Sequence, residues 1–294
     1  MKLVTHDGEF HADDVCAVAV LKTLFPEIEV TRTRDEELIA DADIVVDVGG
    51  TYDPGTQRFD HHQRDGSGER TNGIPYASIG LVWKHYGVQF CDGSIDVAEW
   101  IDKKVIQAID ATDTGITLFD TRYDCGIPTI NSLVRLHLPT WREEMNDTVW
   151  NSRFSNLVPL VQIIFERLKE NGFANFEAIT LVEEAIACSS RKETAELSKK
   201  VPWYDVAINH PDLLYVLIPD PKVNGRWRAY ATRVQADKFE TRKPFPETWA
   251  GLINEELAEV TGVADALFCH RARHLVVADS YQGIQTLVEL ALQS

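Results

Sequence analysis

The sequence predicts an α/β protein: a mainly parallel sheet with covering helices over residues 1–200, then a smaller α+β domain over residues 201–294. Three observations carry this expectation. Strand-like and helix-like segments alternate through the first fifty residues, the pattern of a parallel sheet. Ile44-Val45-Val46 is a continuous apolar run rather than an alternating one, as a strand covered on both faces requires. From about Pro202 the texture changes, and strand-like segments return between shorter helical ones.

The elements follow in order. Lys2–Thr5 reads as a strand; Asp14–Phe25 follows with Val15, Val18, Ala19 and Leu21 at helical spacing, stopped by Pro26. Glu29–Arg32 and Asp43–Val48 are strands, with a short helix over Asp35–Ala40 between them. A polar, Gly-rich loop runs from Gly49 to Gly73, with Gly49-Gly50 read as a turn. Helical patterns then cover Ala77–Tyr86, Val97–Ile109, Val149–Glu170 and Glu177–Leu197. In the last third, strands are expected at Leu214–Ile218, Trp227–Thr232 and Ala266–Cys269, and helices near Trp249–Val260 and Tyr281–Leu292.

Composition narrows the function. Twenty-nine basic against forty-six acidic residues give a net charge of −17, which opposes coating of long polyanions such as DNA. An enzyme that draws one phosphate end into a local, cation-charged pocket is still compatible. No apolar run is long enough to span a bilayer, and Met1-Lys2-Leu3-Val4-Thr5 enters a strand pattern with no room for a leader. Five cysteines, odd in number and never spaced as a zinc pair, fit a reducing, cytoplasmic setting. Walker, dinucleotide, His-Glu-x-x-His and Gly-x-Ser-x-Gly motifs are absent.

Four clusters of acidic and imidazole side chains carry the chemistry. His6, His11 and Asp13 follow the first strand, and Asp47 closes the third, at the edge where open parallel sheets place ligands. Asp60, His61 and His62 lie on the next loop, and Asp110 and Asp113 where a helix breaks. Asp14 is read as a helix cap, and His85, His137 and His210 as ordinary surface or core histidines. Carboxylates with imidazoles and no thiolate suit two divalent ions, with Mn²⁺ favoured and Mg²⁺, Fe²⁺ or Co²⁺ as alternatives. Two such ions clamp the attacking and leaving oxygens of a phosphoryl transfer, and Asp47 is the natural bridge between them.

The runs Thr5-His6-Asp7-Gly8-Glu9-Phe10-His11-Ala12-Asp13, Val45-Val46-Asp47-Val48-Gly49-Gly50 and Phe59-Asp60-His61-His62-Gln63-Arg64 resemble the melanocyte proliferating gene protein family. The likeness continues through Asp110-Ala111-Thr112-Asp113 and reaches Gly225-Arg226-Trp227 and Phe268-Cys269-His270. That family looks like a divergent branch of the DHH phosphoesterases and is described as metal-dependent 3′–5′ RNA exonucleases. The resemblance implies a DHH-like catalytic domain, metal ligands His6, His11, Asp13, Asp47, His61 and one of Asp110 and Asp113, and catalytic positions at Asp60 and His62, with His62 meeting substrate phosphate. His11-Ala12-Asp13 stands where the superfamily has Asp-x-Asp, exchanging a carboxylate for an imidazole. Substrate-binding candidates in the second domain are Arg226, Arg228, Arg233, Arg242, His270 and Arg273, with Arg271 beside them. The stretch Arg273–Asp279 lacks the glycine pair of related substrate loops. The expected substrate is a short single-stranded RNA end, with a small phosphate compound as the rival and a non-catalytic metal scaffold as the second alternative. The active site is expected in the cleft between the domains.

Overall fold

A computed structural model describes residues 1–235, 238 and 240–294. The protein is a mixed α/β chain with two five-stranded sheets, and it divides into two compact units, Met1–Phe173 and Ala174–Ser294.

The first unit opens with β1 (Lys2–Thr5), α1 (Ala12–Leu24), β2 (Glu29–Arg32), α2 (Glu36–Ala40) and β3 (Ile44–Val46). Two very short strands follow, β4 (Tyr52–Asp53) and β5 (Arg58–Phe59), inside the stretch expected to be loop. Two residues are too few to carry a periodicity, so neither strand has a sequence signal. Their pairing matters nonetheless: the sheet order is β2-β1-β3-β5-β4, with every neighbour parallel except the β4–β5 pair. Thr5 lies opposite Val46, and Val46 opposite Phe59. The carboxyl ends of three adjacent parallel strands therefore deliver His6, Asp47 and Asp60 in one row.

Helix α1 is buried all round from Ala12 to Leu21, Asp13 and Asp14 included, so it is a central helix and not an amphipathic cover. It packs against α3 (Ser78–Phe90). The chain continues through α4 (Ile95–Ile101), a π-helical turn (Asp102–Ile106) and α5 (Gln107–Asp113), then α6 (Ile130–Arg135), a short helix without a sequence signal. Helix α7 spans Asp147–Cys188 without the break expected near residue 171. Gly172 is a packing glycine there: a Cβ would lie 2.7 Å from Val97 Cγ1, so the residue that reads as a breaker permits a close helix approach. No helix among the described residues is long and apolar enough to cross a membrane.

In the second unit, β6 (Thr194–Glu196), where a helical pattern was expected, pairs parallel with β7 (Tyr215–Pro219). The short α8 (Tyr204–Ala207) lies between them in the chain. The order β6-β7-β8-β10-β9 is completed by antiparallel β8 (Trp227–Ala231), β9 (Ala266–Cys269) and β10 (Leu275–Ala278). Helices α9 (Asn254–Thr261) and α10 (Tyr281–Gln293) finish it, with Leu257, Ile284 and Leu287 in a core shared with Tyr215, Phe245 and Trp249. Arg273–Asp279, the stretch without a glycine pair, is mostly strand β10.

Candidate metal centre

The loop from β1 to α1 is held by Phe10, which is fully buried and meets Trp150 and Phe154 edge-on at 6.2 and 5.6 Å. Gly8, at φ 77°, turns the chain so that Phe10 points inward while His6 and His11 flank the opening of α1. His6 is buried, and its Nδ1 lies 2.9 Å from the Asp7 carbonyl, which in the neutral ring leaves Nε2 as the atom free to accept. That Nε2 stands 3.3 Å from Asp47 Oδ2 and 3.3 Å from Asp14 Oδ2.

Asp47 sits at the centre. It is one of few non-glycine residues with positive φ, 57°, a conformation costing about 1–3 kcal/mol that asparagine and aspartate tolerate best. Gly49 and Gly50, at φ 92° and 66°, continue the turn that the sequence assigned to them. One carboxylate oxygen faces His6; the other faces His61 Nε2 at 3.4 Å, His62 Nδ1 at 3.5 Å and the hydroxyl of Ser78, which donates to it at 3.0 Å. Burial works to raise its pKa, but hydrogen bonding and charge from His6 and His61 prevail and hold it below the usual carboxylate range.

On the far side of His61 stand Asp113, with Oδ2 at 3.3 Å, and Asp13, with Oδ2 at 3.9 Å. Asp13 is fully buried in the first turn of α1 and also accepts from the backbone N–H groups of Ser78 (3.0 Å) and Ile79 (2.6 Å), anchoring the positive end of α3. Its pKa is pushed well up by burial and by the charges of Asp47 and Asp113; that of Asp113 rises for the same reasons. Donor atoms of Asp13, His61 and Asp113 lie within 4.8 Å of one another, as do those of Asp47, His61 and His62.

Two further site expectations are sorted by geometry. Asp110 and Asp113 share one helix turn, but the Asp110 carboxylate is engaged elsewhere, 2.5 Å from Arg70 Nη1 and accepting from Gly80 N at 3.1 Å. Only Asp113 of the two reaches the cluster. Asp60, buried, accepts from Gly50 N at 2.5 Å and lies 2.8 Å from His62 Nδ1, a contact that orients the His62 ring. His62 itself is largely exposed and lines an open cavity of about 1210 Å³ with His6, His11, Asp47, His61 and Asp113. The sequence reading missed Ser78, and it missed Asn131 and Arg135 of α6, which also line this cavity. All of these residues belong to the first unit.

The second-unit candidates are mostly committed locally. Arg242 gives both terminal nitrogens to the carbonyls of Ile208, His210 and Leu213. Arg226 pairs with Asp279, Arg228 with Asp220, and Arg233 lies over the Tyr204 ring at 4.7 Å. Arg273 donates to the Phe245 carbonyl at 3.4 Å, and His270 Nδ1 accepts from Ala272 N.

The donor set fits divalent cations. His61 Nε2 and Asp14 Oδ2 are buried with no hydrogen-bond partner, and His61 Nε2 faces three carboxylates within 3.9 Å. Several buried carboxylates this close need a positive charge among them. Nitrogen and oxygen donors without sulfur suit Mn²⁺, Fe²⁺, Co²⁺ or Mg²⁺.

Comparison with known proteins adds identity to this geometry. The family model for MYG1 exonuclease (uncharacterised protein family UPF0160) matches residues 2–292. The chain is 32% identical to human MYG1 exonuclease over 303 residues, 92% of this chain and 80% of that protein. It is 28% identical to a MYG1 protein of Schizosaccharomyces pombe (99% and 97% covered) and 29% to one of Chlamydia trachomatis (98% and 96%).

Proposed function

The chain belongs to the MYG1 exonuclease family, and on that premise we propose that it is a metal-dependent phosphodiesterase removing nucleotides from the 3′ ends of short single-stranded RNA. The observation that supports this most is Asp47, which turns one oxygen to His6 and the other to His61 at the carboxyl edge of three parallel strands. Such a carboxylate is suited to bridge two ions. His6 and His11 would hold one beside it; Asp13, His61 and Asp113 would hold the other. When bound, a pair of divalent ions, Mn²⁺ foremost, supplies charge to the phosphoryl group and lowers the pKa of the attacking water.

The protein's own groups do the rest. Asp60 holds Nδ1 of His62, which leaves Nε2 to meet a phosphate oxygen in the cavity. Ser78 and the backbone of α3 fix Asp47 and Asp13, so the donors need little rearrangement. The cavity wall carries two guanidinium groups among the described residues, Arg34 and Arg135. With a net charge of −17, that favours a grip on a few terminal phosphates and release after each cut. The same scarcity of cations favours the second reading, a phosphatase for small phosphate compounds.

Labelled single-stranded RNA, single-stranded DNA, a dinucleotide and pyrophosphate, each incubated with Mn²⁺-loaded protein, separate the readings. RNA should yield products spaced one nucleotide apart. Binding should weaken with salt on a slope shallower than about −3 in log–log form, at about 0.7 per phosphate neutralised. Hydrolysis of pyrophosphate with every oligonucleotide intact would transfer the assignment to the phosphatase.

A further inference from the structure

His11, at the N-terminus of α1, stands near His6 as a second imidazole and brings no negative charge there. The next residue but two is Asp14, fully buried. Its Oδ1 accepts from the backbone N–H groups of His11 (2.8 Å) and Val15 (2.9 Å), as a residue at a helix start does. Its Oδ2 serves no cap. That atom is buried, has no hydrogen-bond partner, and lies 3.3 Å from His6 Nε2. We infer that Asp14 is a ligand of the divalent ion held beside His6, supplying a carboxylate there.

Three points carry this assignment, which rests on the two-ion reading above. First, the His6 Nδ1 contact with the Asp7 carbonyl makes Nδ1 the protonated nitrogen of the neutral ring, so a lone pair on Nε2 faces the Asp14 and Asp47 oxygens. Lone pairs do not converge in a buried site without a cation between them. Second, the His6–Asp14 spacing fits a shared ion. Two donors about 2.1 Å from one ion, at angles of about 90–110°, lie about 3.0–3.4 Å apart, whereas a charge-assisted hydrogen bond between imidazole and carboxylate closes to about 2.7–2.9 Å. The observed 3.3 Å belongs to the first class. Third, His11 is exposed, with its ring centroid 6.1 Å from that of His6, and it forms no ion pair with a carboxylate among the described residues. The competing account is a plain helix cap beside a protonated His6.

The test is metal binding, read without turnover. Wild type, Asp14→Asn, Asp14→Ser and His11→Ala are stripped with chelator and titrated with Mn²⁺, with free Mn²⁺ followed by electron paramagnetic resonance and bound metal by elemental analysis. Asparagine keeps an acceptor for the His11 N–H while removing the charge, and serine is included because its smaller side chain relieves any crowding. Circular dichroism of the metal-free proteins reports folding. Both Asp14 variants should lose one Mn²⁺ per chain or bind it at least tenfold more weakly, with a smaller loss in His11→Ala. Two Mn²⁺ at wild-type affinity in a folded Asp14 variant, with only a lower melting temperature, would establish the cap and overturn the inference. Loss of an ion in His11→Ala but in neither Asp14 variant would overturn it equally. A wild-type chain that binds no Mn²⁺ would instead remove the two-ion reading, and this inference with it.

Discussion

Gly80→Ala, beside the Ser78 and Ile79 groups that hold Asp47 and Asp13, tests whether the packing behind the cluster positions it. Gly80 stands in the first turn of α3, where alanine by propensity alone should stabilise by up to about 1 kcal/mol. The structure leaves no room for it. A Cβ built on Gly80 would overlap the Asp110 carboxylate, with Asp110 Cγ only 2.7 Å away. That carboxylate cannot swing aside cheaply: it is fully buried, receives the Gly80 N–H at 3.1 Å and is clamped by Arg70, which also holds Asp102 at 2.8 Å across the π-helical turn. Overpacking costs about 1–3 kcal/mol, and a weakened hydrogen bond to a charged group about 1.5–3 kcal/mol. After the propensity gain, a net loss of about 1.5–5 kcal/mol is expected from urea unfolding. Asp113 lies one turn beyond Asp110 on the same helix, so Mn²⁺ affinity should fall as well. Stability that is unchanged, or higher by the helix-propensity increment, would show that the Arg70–Asp110–Gly80 clamp does not set this packing.

The paired histidines should separate by role. His61→Ala should lose metal, while His62→Ala should retain it and turn over about 10²–10³-fold more slowly, as expected for a lost charge-stabilising donor; equal metal loss in both variants would refute the division. The metal-free protein should grow less stable as pH rises from 5 to 8. Burial raises Asp14 to about 6 and Asp110 to about 7, against Arg70 in the latter case; these groups stabilise the fold below the unfolded carboxylate pKa and lose that contribution as pH climbs through their folded values. For His6 and His61 burial acts downward, but Asp47 and neighbouring carboxylates outweigh it and raise both, so their stabilisation is full below about 6.5 and lost above the folded value. Asp47, held low, matters only below the usual carboxylate range. Calorimetry in chelator should therefore show a falling melting temperature, and added Mn²⁺ should oppose the trend because it competes with protons. A metal-free melting temperature that climbs between pH 5 and 7 would contradict these shifts.

Much of this arrangement was legible in the chain. Lys2–Thr5 and Asp43–Val48 announce themselves as strands, so His6 and Asp47 could be placed at a sheet edge from sequence alone. The third strand of that edge could not, because Arg58–Phe59 is too short for any period to register. Asp110 and Asp113 are three residues apart on one helix, hence on one face, and no spacing rule ranks them. What separates them is Arg70, forty residues earlier, together with the missing side chain of Gly80. Asn171-Gly172 reads as a break from local preference, and contact with Val97 overrides it. Asp14 reads as a cap because it is one; nothing local reports that its second oxygen is left over.

In the proposed centre, the Asp47 carboxylate serves two ions. Elemental analysis of Mn²⁺-reconstituted wild type and Asp47→Asn tests it most directly, with circular dichroism to verify that both are folded. Two ions per wild-type chain and neither retained in the variant is the result this geometry predicts. Two ions per chain in a folded Asp47→Asn protein would contradict it.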